Sequence, residues 1–147
     1  MRVETREALR EAGWSPSRKT SPWRWFDFLL RQGYEDFPAA RWALTSVGGL
    51  RVAAHQAIGP NYPNSDMLFD PLLGAWDNYD DVYQLMDLCG SRVFPLGLWD
   101  IAMTPMIDES SAVYAFGAFG TWRVGASMEE FLDKVVCAED PIEIIEP

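Results

Sequence analysis

An α+β fold is what this sequence predicts: one domain with a mixed or antiparallel sheet flanked by helices. Three observations point there. Helix-periodic segments crowd the first fifty residues, strand alternation broken by short turns sets in from Arg92, and a capped amphipathic segment closes the pattern after Ser127. The size agrees, because a chain of 147 residues, 48% of them hydrophobic, buries roughly 70% of its unfolded surface in a single core.

The elements follow in order. VETREALREAGW sets Ala8, Leu9 and Ala12 at helical spacing and stops at Gly13. SPWRWFDFLLRQGY offers Ser21 as N-cap, Pro22 at the first helical position and Gly33 as the stop, with Trp25, Phe28 and Leu29 on the inward stripe. A third helix is expected from Pro38 to about Thr45, with Ala39, Trp42 and Ala43 on one stripe, ending before Gly48-Gly49. Leu50 to Ala54 reads as a strand, residues 55–64 as an extended loop because of Gly59, Pro60 and Pro63, and MLFD at 67–70 as a short strand.

GAWDNYDDVYQLMDLCG, residues 74–90, reads as an amphipathic helix capped by Asp77 and ended by Gly90. Tyr79, Val82, Tyr83 and Met86 recur as i, i+3, i+4, i+7 and are expected to face inward, which turns Asp80, Asp81, Gln84 and Asp87 outward. Strands then follow at RVFPL, WDIAMTPMID, AVYAFGAFG and TWRVG, the third apolar on both faces. Ser127 and Glu130 form a capping-box pair ahead of Phe131, Leu132 and Val135. We expect the core to span residues 5–137 of a single domain, with 138–147 an extended, loosely held tail. Most of the seven Trp are expected in that core.

The net charge of -10 is unevenly spread. Residues 1–50 hold eight Arg or Lys against six Asp or Glu, whereas residues 51–147 hold four against sixteen. That field repels nucleic acid and anionic membrane and attracts basic proteins. No run approaches the ~20 apolar residues of a bilayer-spanning helix, and the first residues interleave charges where a signal peptide is apolar, so a cytoplasmic setting is expected. Cys89 and Cys137 lie far apart without metal spacing and are expected as reduced thiols.

Catalytic constellations are missing from the sequence. His55, the one histidine, has neither a nucleophile elbow nor a cysteine near it. One His and two distant Cys make a poor zinc set, and Gly48-Gly49 lacks the Lys and Ser/Thr of a phosphate loop. Counting a calcium loop from Asp77 puts Val82 and Leu88 where glycine and glutamate belong. No catalytic, cofactor or metal residue is therefore assigned. The acidic helix keeps two readings, a solvated face or a face for a basic partner, and the helix dipole already favours Asp77, Asp80 and Asp81 at its N-terminal end.

Four landmarks stand in a particular order: LREAGWSPSRKT at 9–20, VGGLRV at 47–52, FPLGLWD at 94–100 and VYAFGAFGTWRVGASMEEFLDKVV at 113–136. With Ala12-Gly13-Trp14 and Arg18, Gly48-Gly49-Leu50, and Pro95-Leu96-Gly97, this order resembles the third subgroup of the SUKH superfamily, bacterial immunity proteins that accompany secreted polymorphic toxins. The resemblance covers about residues 5–137. It implies the α+β SUKH fold and a function of binding a cognate toxin domain without transforming a substrate. Such toxins often attack nucleic acid through basic clefts, so the expected partner is a basic protein and the expected contact residues are Asp80, Asp81 and Asp87 with Asp66 and Asp70. Trp76 or Tyr62 is the expected aromatic anchor. The chain is expected as a monomer or weak homodimer. A regulatory or scaffold role on the same fold is the alternative reading.

Overall fold

In a computed structural model the chain is described over residues 1–54, 65–74, 79–99, 103–117, 120–137 and 143–145. Six helices and eight strands alternate within these segments: α1 Val3–Ala12, α2 Trp23–Arg31, α3 Pro38–Val47, β1 Arg51–Val52, β2 Met67–Leu68, α4 Pro71–Gly74, α5 Tyr79–Cys89, β3 Val93–Pro95, β4 Leu98–Trp99, β5 Met103–Asp108, β6 Val113–Gly117, β7 Gly120–Gly125, α6 Met128–Cys137 and β8 Glu143–Ile145. The expected α+β class holds, and the choice between a mixed and an antiparallel sheet falls to antiparallel. Every described pairing is antiparallel, in a three-stranded sheet β1-β2-β4 and a five-stranded sheet β3-β5-β6-β7-β8.

The stretch 99–108, expected as one strand, is divided between the sheets: Trp99 ends β4 in the small sheet and Met103 starts β5 in the large one. Gly97 sets up the crossing. Its φ is +153°, and a Cβ there would stand 1.8 Å from the Leu68 carbonyl oxygen, so only glycine lets the chain pass β2 this closely. Pro95, at the end of β3, has no N–H to extend that ladder. The helix α4 wedges into the same junction, with Gly74 against the Gly97 carbonyl.

Central in the large sheet, β6 is buried from Val113 to Phe116 on both faces, as its apolar alternation predicts. Asp108 organises the turn before it. Its Oδ1 accepts hydrogen bonds from the N–H groups of Ser110 (2.8 Å) and Ala112 (3.0 Å) and from the Ser110 hydroxyl (2.7 Å), which sustains Ser111 at φ +75°. The residues Glu143–Ile145, expected to be loosely held, add an edge strand to β7. The remaining tail residues, and the loop expected at 55–64, lie outside the described residues.

Two helix faces and one helix cap differ from expectation in the N-terminal part. In α2 the inward set is Trp25, Phe26 and Leu29, while Phe28 is 48% exposed. Phe26 stacks on Phe94 of β3 with ring centroids 4.4 Å apart, a long-range contact that selects position 26 over 28. In α3 the buried residues are Ala40, Ala43, Leu44 and Val47, and Trp42 is 63% exposed. Small residues on the buried stripe let α3 lie against β5, which leaves the large ring outside. Pro22, not Ser21, occupies the N-cap of α2, and no side chain caps it. Among the described Trp residues, Trp25 and Trp99 are fully buried, Trp14 and Trp122 pack half-buried on the core, and Trp23 and Trp42 are exposed.

Joining the layers, α6 begins as the capping-box reading predicts, with the Ser127 hydroxyl accepting the Glu130 N–H at 3.2 Å. The Glu130 carboxylate reaches back one residue further than expected, to the N–H of Ala126 (3.2 Å). Phe131 stands edge-on to Trp99 (5.8 Å) and Phe69 (6.4 Å), tying α6 to the small sheet. Asp133 fastens α1 to α6 by accepting from the Thr5 hydroxyl (2.6 Å) and the Arg2 N–H (2.9 Å).

Candidate functional site

Among the described residues, no group of three or more His, Cys, Asp or Glu is placed to hold a metal ion. Burial pushes the Cys89 thiol above its ordinary range, so it stays protonated at neutral pH and is a weak nucleophile. Cys89 and Cys137 are unbonded thiols. His55 lies outside the described residues.

The expected partner-facing acids separate into three kinds. Asp66 and Asp70 are engaged locally. Asp66 closes the open end of the β1–β2 pair, with Oδ1 accepting the Ala54 N–H (3.0 Å) and Oδ2 held by Arg51 Nε (3.0 Å). Asp70 starts α4 through an Asx turn, its Oδ1 accepting the Leu72 N–H at 3.1 Å. Asp80 and Asp81 belong to α5, but their side chains lie outside the described residues, as do Tyr62, Trp76 and Asp77. Asp87 is exposed in the last turn of α5.

Asp87 is the acid that helix stability does not explain. The C-terminal end of a helix carries partial negative charge, where a carboxylate costs about 0.3–1 kcal/mol, and the last turn of α5 has no basic residue to offset it. One turn earlier stands Tyr83. It was expected inward, yet it is 59% exposed, because α5 packs through Val82 and Leu85 with Met86 half-buried. At i and i+4, Tyr83 and Asp87 share one side of the helix.

Beneath Tyr83 runs a groove of about 220 Å³, lined in part by Tyr34, Glu35, Met86 and Arg92. Arg92 does not make it basic. Its guanidinium hydrogen-bonds the Glu109 carboxylate through Nε (2.6 Å) and Nη2 and lies 3.6 Å from Glu35. The hydrogen bond from Arg92 holds the Glu109 carboxyl below its ordinary range. Two further cations of the C-terminal two thirds stand similarly: Arg51 pairs with Asp66 and Lys134 with Glu130 (3.1 Å).

Three of the four sequence landmarks meet at one place. Trp14 Nε1 donates to the Ser46 hydroxyl (3.2 Å), and Arg18 donates from Nη1 to the Ser46 carbonyl and from Nη2 to the Gly48 carbonyl, both at 2.8 Å. Trp14 and Arg18 therefore clamp the loop after α1 onto the C-terminal end of α3. Gly48 fits under Trp25, where a Cβ would meet the ring at 2.5 Å, and Gly49 at φ +86° turns the chain. The Gly49 N–H then donates to the Phe69 carbonyl (2.7 Å) and the Phe69 N–H to the Leu50 carbonyl (2.8 Å), extending the β1–β2 ladder. Gly97 passes the same ladder from the other side.

A family model described as SUKH-3 immunity protein matches residues 1–137. The chain belongs to the SUKH-3 immunity protein family. No curated protein and no solved structure matches it. In this SUKH-3 chain the family-like motifs are structural: Trp14, Arg18, Gly48 and Gly97 all serve the small sheet and its connections. The exposed Tyr83 and Asp87 lie outside those motifs. Among the described residues, no helix of this SUKH-3 chain is long and apolar enough to cross a membrane.

The sequence pattern did not single out Tyr83, Phe28 or Trp42 as exposed. An amphipathic stripe drawn through the largest rings places all three indoors. Leu85, which extends the expected inward face, is buried with Val82, and together they rotate the buried face of α5 away from Tyr83.

Proposed function

We propose that this chain neutralises a cognate toxin domain by stoichiometric binding, and that the toxin is a basic protein, such as one that attacks nucleic acid. Membership of an immunity-protein family supports the first part. The observation that carries the second is the pairing of exposed Tyr83 with Asp87 on α5, on the strongly anionic side of the sequence. Tyr83 joins Trp76 and Tyr62 as an aromatic anchor of this reading: it is a rigid amphipathic ring, a residue type enriched at binding hot spots. Asp80, Asp81 and Asp87 supply negative charge of the kind a phosphate-binding cleft attracts. Asp66 and Asp70 add to the field while keeping their local bonds.

The reading assigns no catalysis to the chain. Binding alone occludes a toxin's cleft, and the protein acts in the compartment where its own cell would be damaged, the cytoplasm. Co-expression with the toxin domain encoded beside it tests the proposal. Growth rescue together with recovery of a one-to-one complex is the expected result. Rescue without a complex, or a toxin product altered by this protein, would contradict it.

A further inference from the structure

The groove beneath Tyr83 joins an apolar floor to a charged rim. Buried Val82 and Val93 line it with half-buried Met86 and the exposed Tyr83 ring, and its charged residues are Glu35 and Arg92. Arg92 is held from three sides: its guanidinium lies 5.6 Å from the centre of the Phe37 ring, bonds Glu109 through Nε and Nη2, and meets Glu35 through Nη1 at 3.6 Å. Glu109 is engaged in turn by the Ser91 hydroxyl (3.3 Å). Glu35 is the looser partner of Arg92, with 65% of its side chain exposed. Two carboxylates therefore flank one guanidinium, so the cluster keeps a surplus of negative charge, and Asp87 stands one turn beyond Tyr83.

We propose, resting on the reading of this chain as the captor of a basic toxin, that the groove is a pocket for one Lys or Arg side chain of that toxin and that Glu35 selects it. Size gives the first argument. At about 220 Å³ the groove is smaller than the roughly 300–1,000 Å³ of small-molecule sites, and it suits a single side chain. Its chemistry gives the second. Lys and Arg combine an apolar stem with a charged head, so Val82, Met86 and Val93 suit the stem, Glu35 suits the head, and the face of Tyr83 attracts a cation. Charge gives the third. An acidic side chain would meet Glu35 beside a guanidinium already shared by two carboxylates. A second copy of the chain would bring the acids of one α5 against those of the other.

Calorimetric titration of the full chain with the toxin domain encoded beside it tests the proposal. Glu35→Gln removes the charge and keeps the size, and is expected to weaken binding by ~10-fold or more. Glu11→Gln, at an exposed acid of α1 outside the groove, is expected to change it by less than ~2-fold, which separates a local contact from the general field. Both positions are exposed, so unchanged thermal melting is the control for folding. Replacing the Lys and Arg residues of the toxin by Ala, one at a time, should then reveal one cation whose loss abolishes the difference between wild type and Glu35→Gln. Equal effects of Glu35→Gln and Glu11→Gln, tighter binding of Glu35→Gln, or no toxin cation coupled to Glu35 would overturn the proposal. If Glu35→Gln is silent while Asp87→Asn weakens the complex, the pocket is wrong and the acidic face of α5 stands; if the wild-type chain forms no complex, both fall.

Discussion

At the scale of single residues, Asp87 and Arg18 show how differently a motif and a site are written. Arg18 belongs to a legible landmark, and its planar guanidinium bonds two carbonyls that an amine cannot reach together. We expect Arg18→Lys to lower stability by ~1–3 kcal/mol in urea unfolding, without changing toxin affinity at saturating folded protein. Asp87 is legible as acid but not as strained, because its misplacement on the dipole appears only once the end of α5 is fixed at Cys89. Asp87→Asn should therefore raise stability by ~0.3–1 kcal/mol while weakening the toxin complex. A gain in stability with loss of binding separates a functional acid from a solvated one. Gly97 carries the opposite signature. Gly97→Ala places a methyl group into the Leu68 carbonyl, and thermal melting should show a loss of ~3 kcal/mol or more.

Among the elements, punctuation was legible and rotation was not. Gly13, Gly33, Gly48-Gly49 and Gly90 end helices where the sequence says, since positive φ or close packing is a local demand. Which side of each helix turns inward depends on distant partners. Phe26 is chosen by Phe94, nearly seventy positions away, and the burial of Leu85 decides the exposure of Tyr83. The break between Trp99 and Met103 was missed for a similar reason: an apolar run shows period, not the sheet to which each half pairs. The start of α6 yields a pH test. Hydrogen bonding from the Ala126 N–H, followed by that from Lys134, holds the Glu130 carboxyl below its ordinary range. A carboxyl with a lowered folded-state pKa contributes stability above its unfolded value of about 4.3, and that contribution is lost as pH falls through the lowered value. Glu130→Gln should flatten the acid limb of the stability curve below about pH 4, and leave its neutral-to-basic limb unchanged, in denaturant titrations across pH.

The molecule as a whole combines a two-sheet scaffold with an acidic helix that leaves Tyr83 and Asp87 exposed. Its architecture could be anticipated because segment order, family-like landmarks and capping signals all agree, and these are properties of the chain itself. Its site could be anticipated only in part, because binding residues are defined by what they leave unburied. The acids of α5 were legible as charge; the indole of Trp42 and the phenol of Tyr83 were concealed by the rule that large rings go inside. Charge asymmetry makes toxin capture weaken as ionic strength rises. The most direct measurement is the affinity of the purified chain for its toxin domain across salt concentrations, compared with a variant carrying Asp80→Lys, Asp81→Lys, Asp87→Lys and Tyr83→Ala. We expect wild-type affinity to fall with salt, and the variant to bind at least ~100-fold more weakly with a much shallower salt dependence. Equal affinity and an equal salt slope in the two proteins would contradict the assignment of α5 as the toxin-facing surface.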